Sequence, residues 1–594
     1  MIYNEFENPL LPLLASVKRP GRYTGGEWGS FIKNIPNEEH AVRICLAFPD
    51  VYEVGMSYLG YQILYSLIKT LDCADAERAY CPWPDMEREM RASGIPLTSL
   101  ESRRPLHDFD VLGFTLQYEL CATNILTMLD LGGIPLRASE RNDSVPIVIG
   151  GGGGACSPAP LEMFFDAFCI GEGEKRLPEI LAVLGELKGR PRGERLDALA
   201  GMQNVYVPGT RTRRTKSAIV EDLDGGFVNR TMIVPNMGII HDRVAVQVFR
   251  GCTRGCRFCQ AGMISRPKRE RSVESAASQI GDLLAYTGWD EVGLLSLATC
   301  DWNGLDEFIS KLGGTLEREK VKLSLPSLRM DAFSVELASR LEAMRRGGVT
   351  FAPEAGSERL RRVINKGLSN DDINRALDAA FKHGWDRVKL YFMMGLPTET
   401  EADLDGIIDI ADRAVHHARI NKRRGEISVS VAGFVPKPHT PFQWEPQATR
   451  ESLRERGRYV KGRVRSKKIS LSYHEPDQTF LEGVFARGDA SLGPAILEAW
   501  RRGARFDGWT ECFDIGRWED TFRDAGIDAE GIASRARSLD EHLPWEMIDA
   551  GVTNEFLARE RARAFAELPT IDCVSGVCSG CGWRDNFAGC GDRG

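Results

Sequence analysis

Gly251-Cys252-Thr253-Arg254-Gly255-Cys256-Arg257-Phe258-Cys259-Gln260 is the most informative stretch of the chain. Its three cysteines are spaced Cys-x3-Cys-x2-Cys, and no fourth Cys or His follows closely. A closed structural zinc site draws on four protein ligands, usually as two pairs. Three thiolates on one short loop suit three irons of a [4Fe–4S] cube, leaving the fourth iron open to bind a cofactor and pass it an electron. Gly251 and Gly255 let the loop wrap a cube, and Arg254 and Arg257 help offset the charge of thiolates and sulfides. The alternatives are a zinc knuckle and chance spacing.

The loop follows an apolar run at 245–249, the first of six strand candidates (245–249, 292–297, 321–325, 349–352, 387–392 and 427–431). Helical stretches such as 372–383 and 401–415 separate them. This alternation predicts a (β/α)6 barrel or partial barrel, whose active site lies at the C-terminal ends of its strands. Upstream, strands at 42–48, 109–114, 145–149 and 167–170 alternate with helices, predicting a doubly wound parallel sheet over residues 41–190. Such sheets bind ligands beyond the carboxyl ends of their strands, here 49–55, 113–117, the five-glycine run 150–154, and 171–174. The fold class is thus α/β: an arm (1–40), the sheet domain (41–190), a linker (191–240), the barrel (241–445) and a helical, Cys-rich region (446–594).

The chain has 594 residues, 43% of them hydrophobic, which points to two or three globular domains. With 76 basic and 84 acidic residues the net charge is −8, which weighs against nonspecific nucleic-acid binding by the surface as a whole. A basic run at 211–216 and a basic helix at 450–468 are read as solvated faces, although the helix could face a nucleic acid. No run reaches the roughly 20 apolar residues of a membrane span, and the first residues carry acids where a signal peptide carries Lys or Arg. A cytoplasmic protein is expected, in which clustered cysteines bind metal rather than form disulfides. Eight of the fifteen cysteines lie singly and read as small buried hydrophobes.

Cys252, Cys256 and Cys259, with the aromatic Phe258 before the last, resemble the signature of the radical S-adenosylmethionine enzymes. The resemblance implies a partial (β/α)6 barrel, a [4Fe–4S] cluster and S-adenosylmethionine, cleaved by one electron to methionine and a 5′-deoxyadenosyl radical. Gly395-Leu396-Pro397 after the fifth strand is similar to the family's turn near the adenine. The 353–357 segment, with Glu354, resembles one that faces the ribose or carboxylate. Ser296 to Asp301 stands where a Gly-Gly-Glu-like segment would bind the amino group, but reads Leu297-Ala298-Thr299. The 434–442 segment and the N-terminal layout resemble the subgroup with a cobalamin-binding-like domain, and more narrowly a bacterial branch of it, on the residues 48–57, 171–174 and 323–329. The resemblance covers about residues 41–590.

That subgroup implies cobalamin, methyl transfer when it is bound, and a reductant such as flavodoxin or ferredoxin. It also implies a separate small partner protein, since that branch often fuses or pairs the barrel with a second small domain. The loop after the first strand, 49–60, holds no histidine for the lower axial position, so cobalamin either binds without one or has been lost. An RNA-modifying methylthiotransferase and a non-catalytic iron–sulfur scaffold are the other readings.

Cys573, Cys578, Cys581 and Cys590 form a second group near the C-terminus, interleaved with glycines. Four thiolates can close around zinc or hold an auxiliary iron–sulfur cluster. The spacing and the presence of another cluster site lean towards the second. Of the histidines, His439 is the candidate for a substrate contact.

Overall fold

Six of the seven residues of Val42–Phe48 (β1) are buried, as in a strand covered on both faces. In the computed structural model, which describes residues 8–35, 39–210, 214–325, 328–333, 335–342, 348–575, 577–583 and 590, β1 belongs to a six-stranded sheet. The other strands are Ala74–Tyr80 (β2), Val111–Thr115 (β3), Ile147–Gly151 (β4), Ala167–Cys169 (β5) and Val205–Tyr206 (β6), in the order β2-β1-β3-β4-β5-β6. All neighbours run parallel except β5 and β6. The doubly wound sheet is therefore present, and β6 carries it past residue 190.

β2 has no apolar pattern, yet all seven of its residues are buried. Its charges are neutralised inside the protein. Arg78 donates to Glu27 at 2.7 Å and Glu101 at 2.6 Å, while Glu77 accepts from the Ser99 and Ser102 hydroxyls at 2.6 Å. Glu27 ties the N-terminal arm to the sheet, and Trp28 bridges to Val234 beyond it.

The barrel strands are Val244–Gln247, Glu291–Leu295, Lys322–Ser324, Val349–Glu354, Arg387–Met394 and Glu426–Gly433. The first three pair in parallel, as do the last three, and one apolar core containing Val246, Leu294, Phe351, Leu390 and Val429 fills both groups. A seventh parallel strand, Ile469–Tyr473, extends the second group beyond residue 445. Its alternation Ile-Ser-Leu-Ser-Tyr lies directly behind a basic helix and is short enough to be overlooked there.

The rest of the C-terminal region is helical and folds back on both domains. Pro476–Arg487 and Leu492–Arg501 share a core with one face of the N-terminal sheet, with Phe485 and Trp500 in it. The indole of Trp500 donates to Thr127 at 3.0 Å. Trp518 and Trp545 are buried, as packing residues. Four arginines of the basic helix Arg450–Arg463 are paired: Arg450 with Glu519, Arg454 with Asp477, Arg456 with Glu399 and Arg458 with Glu451. Residues 211–213 of the other basic run lie outside the described residues. Among the described residues no helix is long and apolar enough to cross a membrane.

Candidate functional site

The first barrel strand delivers the chain to Gly251, where the backbone turns at φ +80° under the carbonyl of Pro267; an added Cβ would come within 2.2 Å of that oxygen. Only glycine fits there. Gly255 turns at φ +72° inside the same loop. Cys259 caps the short helix Gln260–Ile264, its Sγ accepting from the Gly262 amide at 3.3 Å. Cys252, Cys256 and Cys259 are all half-buried. Among the described residues no three His, Cys, Asp or Glu side chains gather around a single metal ion. A cube makes a different demand, since each thiolate ligates its own iron.

Burial pushes the Cys252 thiol up and the Cys259 thiol to about 12, each reinforced by the neighbouring Cys256. Against this, Arg266 and Arg329 act on Cys252, and Lys366 acts on Cys259. Burial works against the charge of Lys366, yet Glu354 at 3.2 Å and Cys256 hold it above its ordinary value. Three thiols on a glycine-turned loop, ringed by cations, suit the anionic sulfurs of a [4Fe–4S] cluster.

Of the two arginines within the motif, Arg254 pairs with Asp301 and, at 3.2 Å, with Asp572. Arg257 is fully buried; it donates to the carbonyls of Val363 and Leu568 and to Glu560, and so serves packing as well as charge. Phe258, Leu396 and Ala355 pack in one small apolar cluster with Phe434 and Phe442, which brings the aromatic of the loop, the Gly-Leu-Pro turn and the neighbour of Glu354 together. Glu354 ends its strand at φ +68°. Gly395 turns at φ +82° with its amide held by Glu399 at 2.9 Å, and Pro397 follows it. Arg329 ends the 323–329 segment that carries the resemblance, whereas Arg266 had no signal in the sequence and Lys366 only the Asn365-Lys366-Gly367 turn, whose first and last residues have positive φ.

A cavity of about 500 Å³ opens at the carboxyl ends of the N-terminal strands. Gly113, Gly151 and Gly171 leave its wall flat, Tyr58 and Gln117 supply polar atoms, and Arg250 of the barrel closes one side. The Nε2 of Gln117 is buried without a partner. Arg250 pairs with Glu172 at 3.2 Å and with Glu174, and it immediately precedes Gly251, so the lining of the cavity runs directly into the cysteine loop along the chain. Elsewhere, Lys437 lies between Glu119 at 2.5 Å and Glu482 at 2.7 Å and ties the barrel to the helices around it.

His439 is buried, its Nε2 2.9 Å from the Cys156 carbonyl, and clamps the barrel to the N-terminal domain. Burial pushes its pKa down to about 4. The unfolded chain therefore takes up a proton near pH 6.5 that the folded chain refuses until about pH 4, and stability falls as pH drops through that window. His439→Gln should flatten the pH dependence of the urea midpoint there, a difference on the order of 3 kcal/mol. An unchanged slope would sink this assignment.

The C-terminal cysteines lie beside the first loop. Cys581 is buried, Cys573 and Cys590 are half-buried and Cys578 is exposed. Burial raises the Cys573 thiol to about 11, with Cys581 and Cys590 close enough to add to the shift. Arg266, which acts on Cys252, acts on Cys573 as well.

Comparison with known proteins follows this geometry. A family model described as "Radical SAM superfamily" matches residues 246–411, and one described as "Radical SAM proteins, N-terminal" matches residues 60–208. An uncharacterized protein of Methanocaldococcus jannaschii, MJ0966, is 24% identical over 488 residues, 80% of this chain and 97% of that one. The ribosomal protein uS12 methylthiotransferase RimO of Rippkaea orientalis is 26% identical, over 37% of this chain and 47% of its own. Among solved structures, the radical S-adenosylmethionine methyltransferase TsrM of Kitasatospora setae, with tryptophan and an S-adenosylmethionine analogue bound, shares the fold: TM-score 0.52, 12% identity, 82% of this chain and 100% of that one.

Proposed function

We infer that the chain, which radical S-adenosylmethionine models match over residues 60–208 and 246–411, is an enzyme of that superfamily. From that premise we propose that Cys252, Cys256 and Cys259 hold the cluster at which S-adenosylmethionine is reductively cleaved, and that the N-terminal cavity holds a cobalamin for methyl transfer to an unactivated carbon. The bound cluster supplies the electron that breaks the C–S bond, and the bound cobalamin supplies a methyl carrier. The protein's own residues position these groups. Phe258 and the Gly395-Leu396-Pro397 turn form the apolar floor for the adenosyl group, and Glu354, held by Lys366, faces its polar end. The boundaries 1–40, 41–190, 191–240, 241–445 and 446–594 belong to the same proposal, as do a protein reductant, a small partner protein and a cytoplasmic location.

The observation that carries this reading is that Arg250, the residue just before the cysteine loop, lines the glycine-walled cavity. It puts a ligand lying flat over the glycine-lined strand ends next to the cluster. A methylthiotransferase reading calls for three cluster thiols in the N-terminal domain, where Cys45, Cys81, Cys121, Cys156 and Cys169 are buried and Cys73 is half-buried.

Gly151→Leu tests the cavity without disturbing its frame, because an added Cβ at Gly151 meets nothing closer than 3.9 Å. The larger side chain should fill the cavity. The expected result for anaerobically reconstituted protein is that the wild type retains cobalamin through gel filtration and the variant does not, while 5′-deoxyadenosine formation with dithionite survives. Wild-type protein that retains no cobalamin would overturn the cobalamin part alone. A fully loaded cluster that yields no 5′-deoxyadenosine would favour a scaffold.

A further inference from the structure

The barrel strands Arg387–Met394 and Glu426–Gly433 bury one face, with Val388, Leu390, Val429 and Val431, in the apolar core beneath the helices. In a packed barrel the opposite, inner face is apolar too and fills the interior. Here the inner face is polar and open. The parallel register aligns Lys389 with Ser428 and Ser470 in one row, and Tyr391 with Ser430 and Ser472 in the next. Ser430 is half-buried, Tyr391 is 37% exposed, and the other four are exposed as well.

Two cations, Arg387 and Lys389, stand on this face two residues apart, about 7 Å along the strand. Among the described residues neither pairs with a carboxylate, although Glu426 lies beside Arg387 in the register. The Lys389 ammonium lies 4.6 Å from the centre of the Tyr391 ring, so both side chains lean into the open face. The next inward residue, Met393, packs on the cluster of Phe258, Leu396 and Ala355. One strand thus runs from the apolar floor beside the cysteine loop, past an aromatic ring, to Lys389 about 13 Å below Met393, with Arg387 beyond it. Unpaired cations on an outer surface need no explanation. Inside a barrel, flanked by hydroxyls of the neighbouring strands, they make a wall that selects anions.

We propose that this inner face recognises the substrate, and that the substrate carries a phosphate group bound by Lys389 and Arg387, with the serine hydroxyls of the two neighbouring strands donating to its oxygens. A guanidinium fork and an ammonium together match the two charges and several acceptor oxygens of a phosphate, whereas a carboxylate would need only one of them. Tyr391, between the cations and the apolar floor, offers a face on which a ring of the substrate stacks. The arrangement selects an elongated molecule, its phosphate on the order of 13 Å from the apolar floor, and so a nucleotide or longer, free or within an RNA strand. The orientation of this substrate towards the cysteine loop rests on the radical reading proposed above; the phosphate site itself rests on the strand register alone.

The test uses full-length protein reconstituted anaerobically, with S-adenosylmethionine present and no reductant. Inorganic phosphate is titrated by phosphorus NMR line width, uridine monophosphate by calorimetry, and fluorescein-labelled decauridylate by anisotropy. Inorganic phosphate and uridine monophosphate should bind the wild type, and Arg387→Ala/Lys389→Ala should weaken both by about tenfold or more. Tyr391→Ala should weaken uridine monophosphate by about tenfold and leave inorganic phosphate unchanged, while Tyr391→Phe should match the wild type in both. Tighter binding of decauridylate than of uridine monophosphate would place the phosphate in an RNA strand, and the reverse order in a free nucleotide. The urea midpoints should agree, since the substituted side chains are exposed. Cys252→Ala/Cys256→Ala/Cys259→Ala should still bind phosphate, which separates failure of the cluster reading from failure of this one. Inorganic phosphate that binds no better to the wild type than to Arg387→Ala/Lys389→Ala would overturn the proposal.

Discussion

Cys256→Ala should form no 5′-deoxyadenosine above background when reduced with dithionite in the presence of S-adenosylmethionine. Cys256 is the middle ligand of the motif, and its charge is felt by Cys252, Cys259, Arg329 and Lys366. Two thiolates cannot hold a cube against solvent, so the inner cluster should be lost and iron should fall by about four per chain. The fold should survive, because replacing one half-buried thiol removes little apolar surface. Far-ultraviolet circular dichroism and the urea midpoint should match the wild type, which separates loss of the cluster from loss of structure. A variant that keeps its iron and its product would show that the loop is not the site.

What could be read from the sequence followed a simple rule: patterns carried by apolar periodicity or glycine turns were visible, and structure made by buried charge was not. The alternation from Val244 and the Gly251–Cys259 loop are of the first kind. β2 is of the second. Ala74-Asp75-Ala76-Glu77-Arg78-Ala79-Tyr80 looks like an exposed segment, and it becomes a buried strand only because Glu27 and Glu101, distant in sequence, meet Arg78. The same holds at the site. The sequence offers Arg254 and Arg257 as counter-charges for the cysteines. Arg257 does feel Cys256, and Arg266, Arg329 and Lys366, which come from other loops, act on the thiols as well. The docking of the C-terminal cysteines on the first loop was likewise beyond reach, because the contacts at Asn365 and Thr570 span more than two hundred residues. His439 looked like a substrate residue because it ends a barrel segment, but its ring is spent on the Cys156 carbonyl.

Arg257 therefore makes the sharpest test of how the two cysteine groups are joined. Its guanidinium is fully buried and burial pulls its pKa down, opposed by Glu560 at 3.2 Å, itself only 2% exposed. It also supplies hydrogen bonds to Arg362 O at 3.1 Å, Val363 O at 2.9 Å and Leu568 O at 2.8 Å. Arg257→Met keeps most of the volume but leaves the buried Glu560 carboxylate without its buried arginine and removes one donor from each of three carbonyls, and breaking a buried pair in this way costs about 3–5 kcal/mol. The expected result is a large fall in the urea midpoint together with loss of iron from both cysteine groups, because the residue sits between Cys256 and Cys259 on one side and holds the approach to Cys573 on the other. Arg257→Lys should not rescue it, since one ammonium cannot replace a planar fork that serves five partners. Arg257→Met/Glu560→Leu removes that carboxylate and should recover part of the stability, leaving the cost of the donors lost to the carbonyls. If Arg257→Met instead lost iron from the first group only and left the second intact, the two cysteine sites would be mechanically independent.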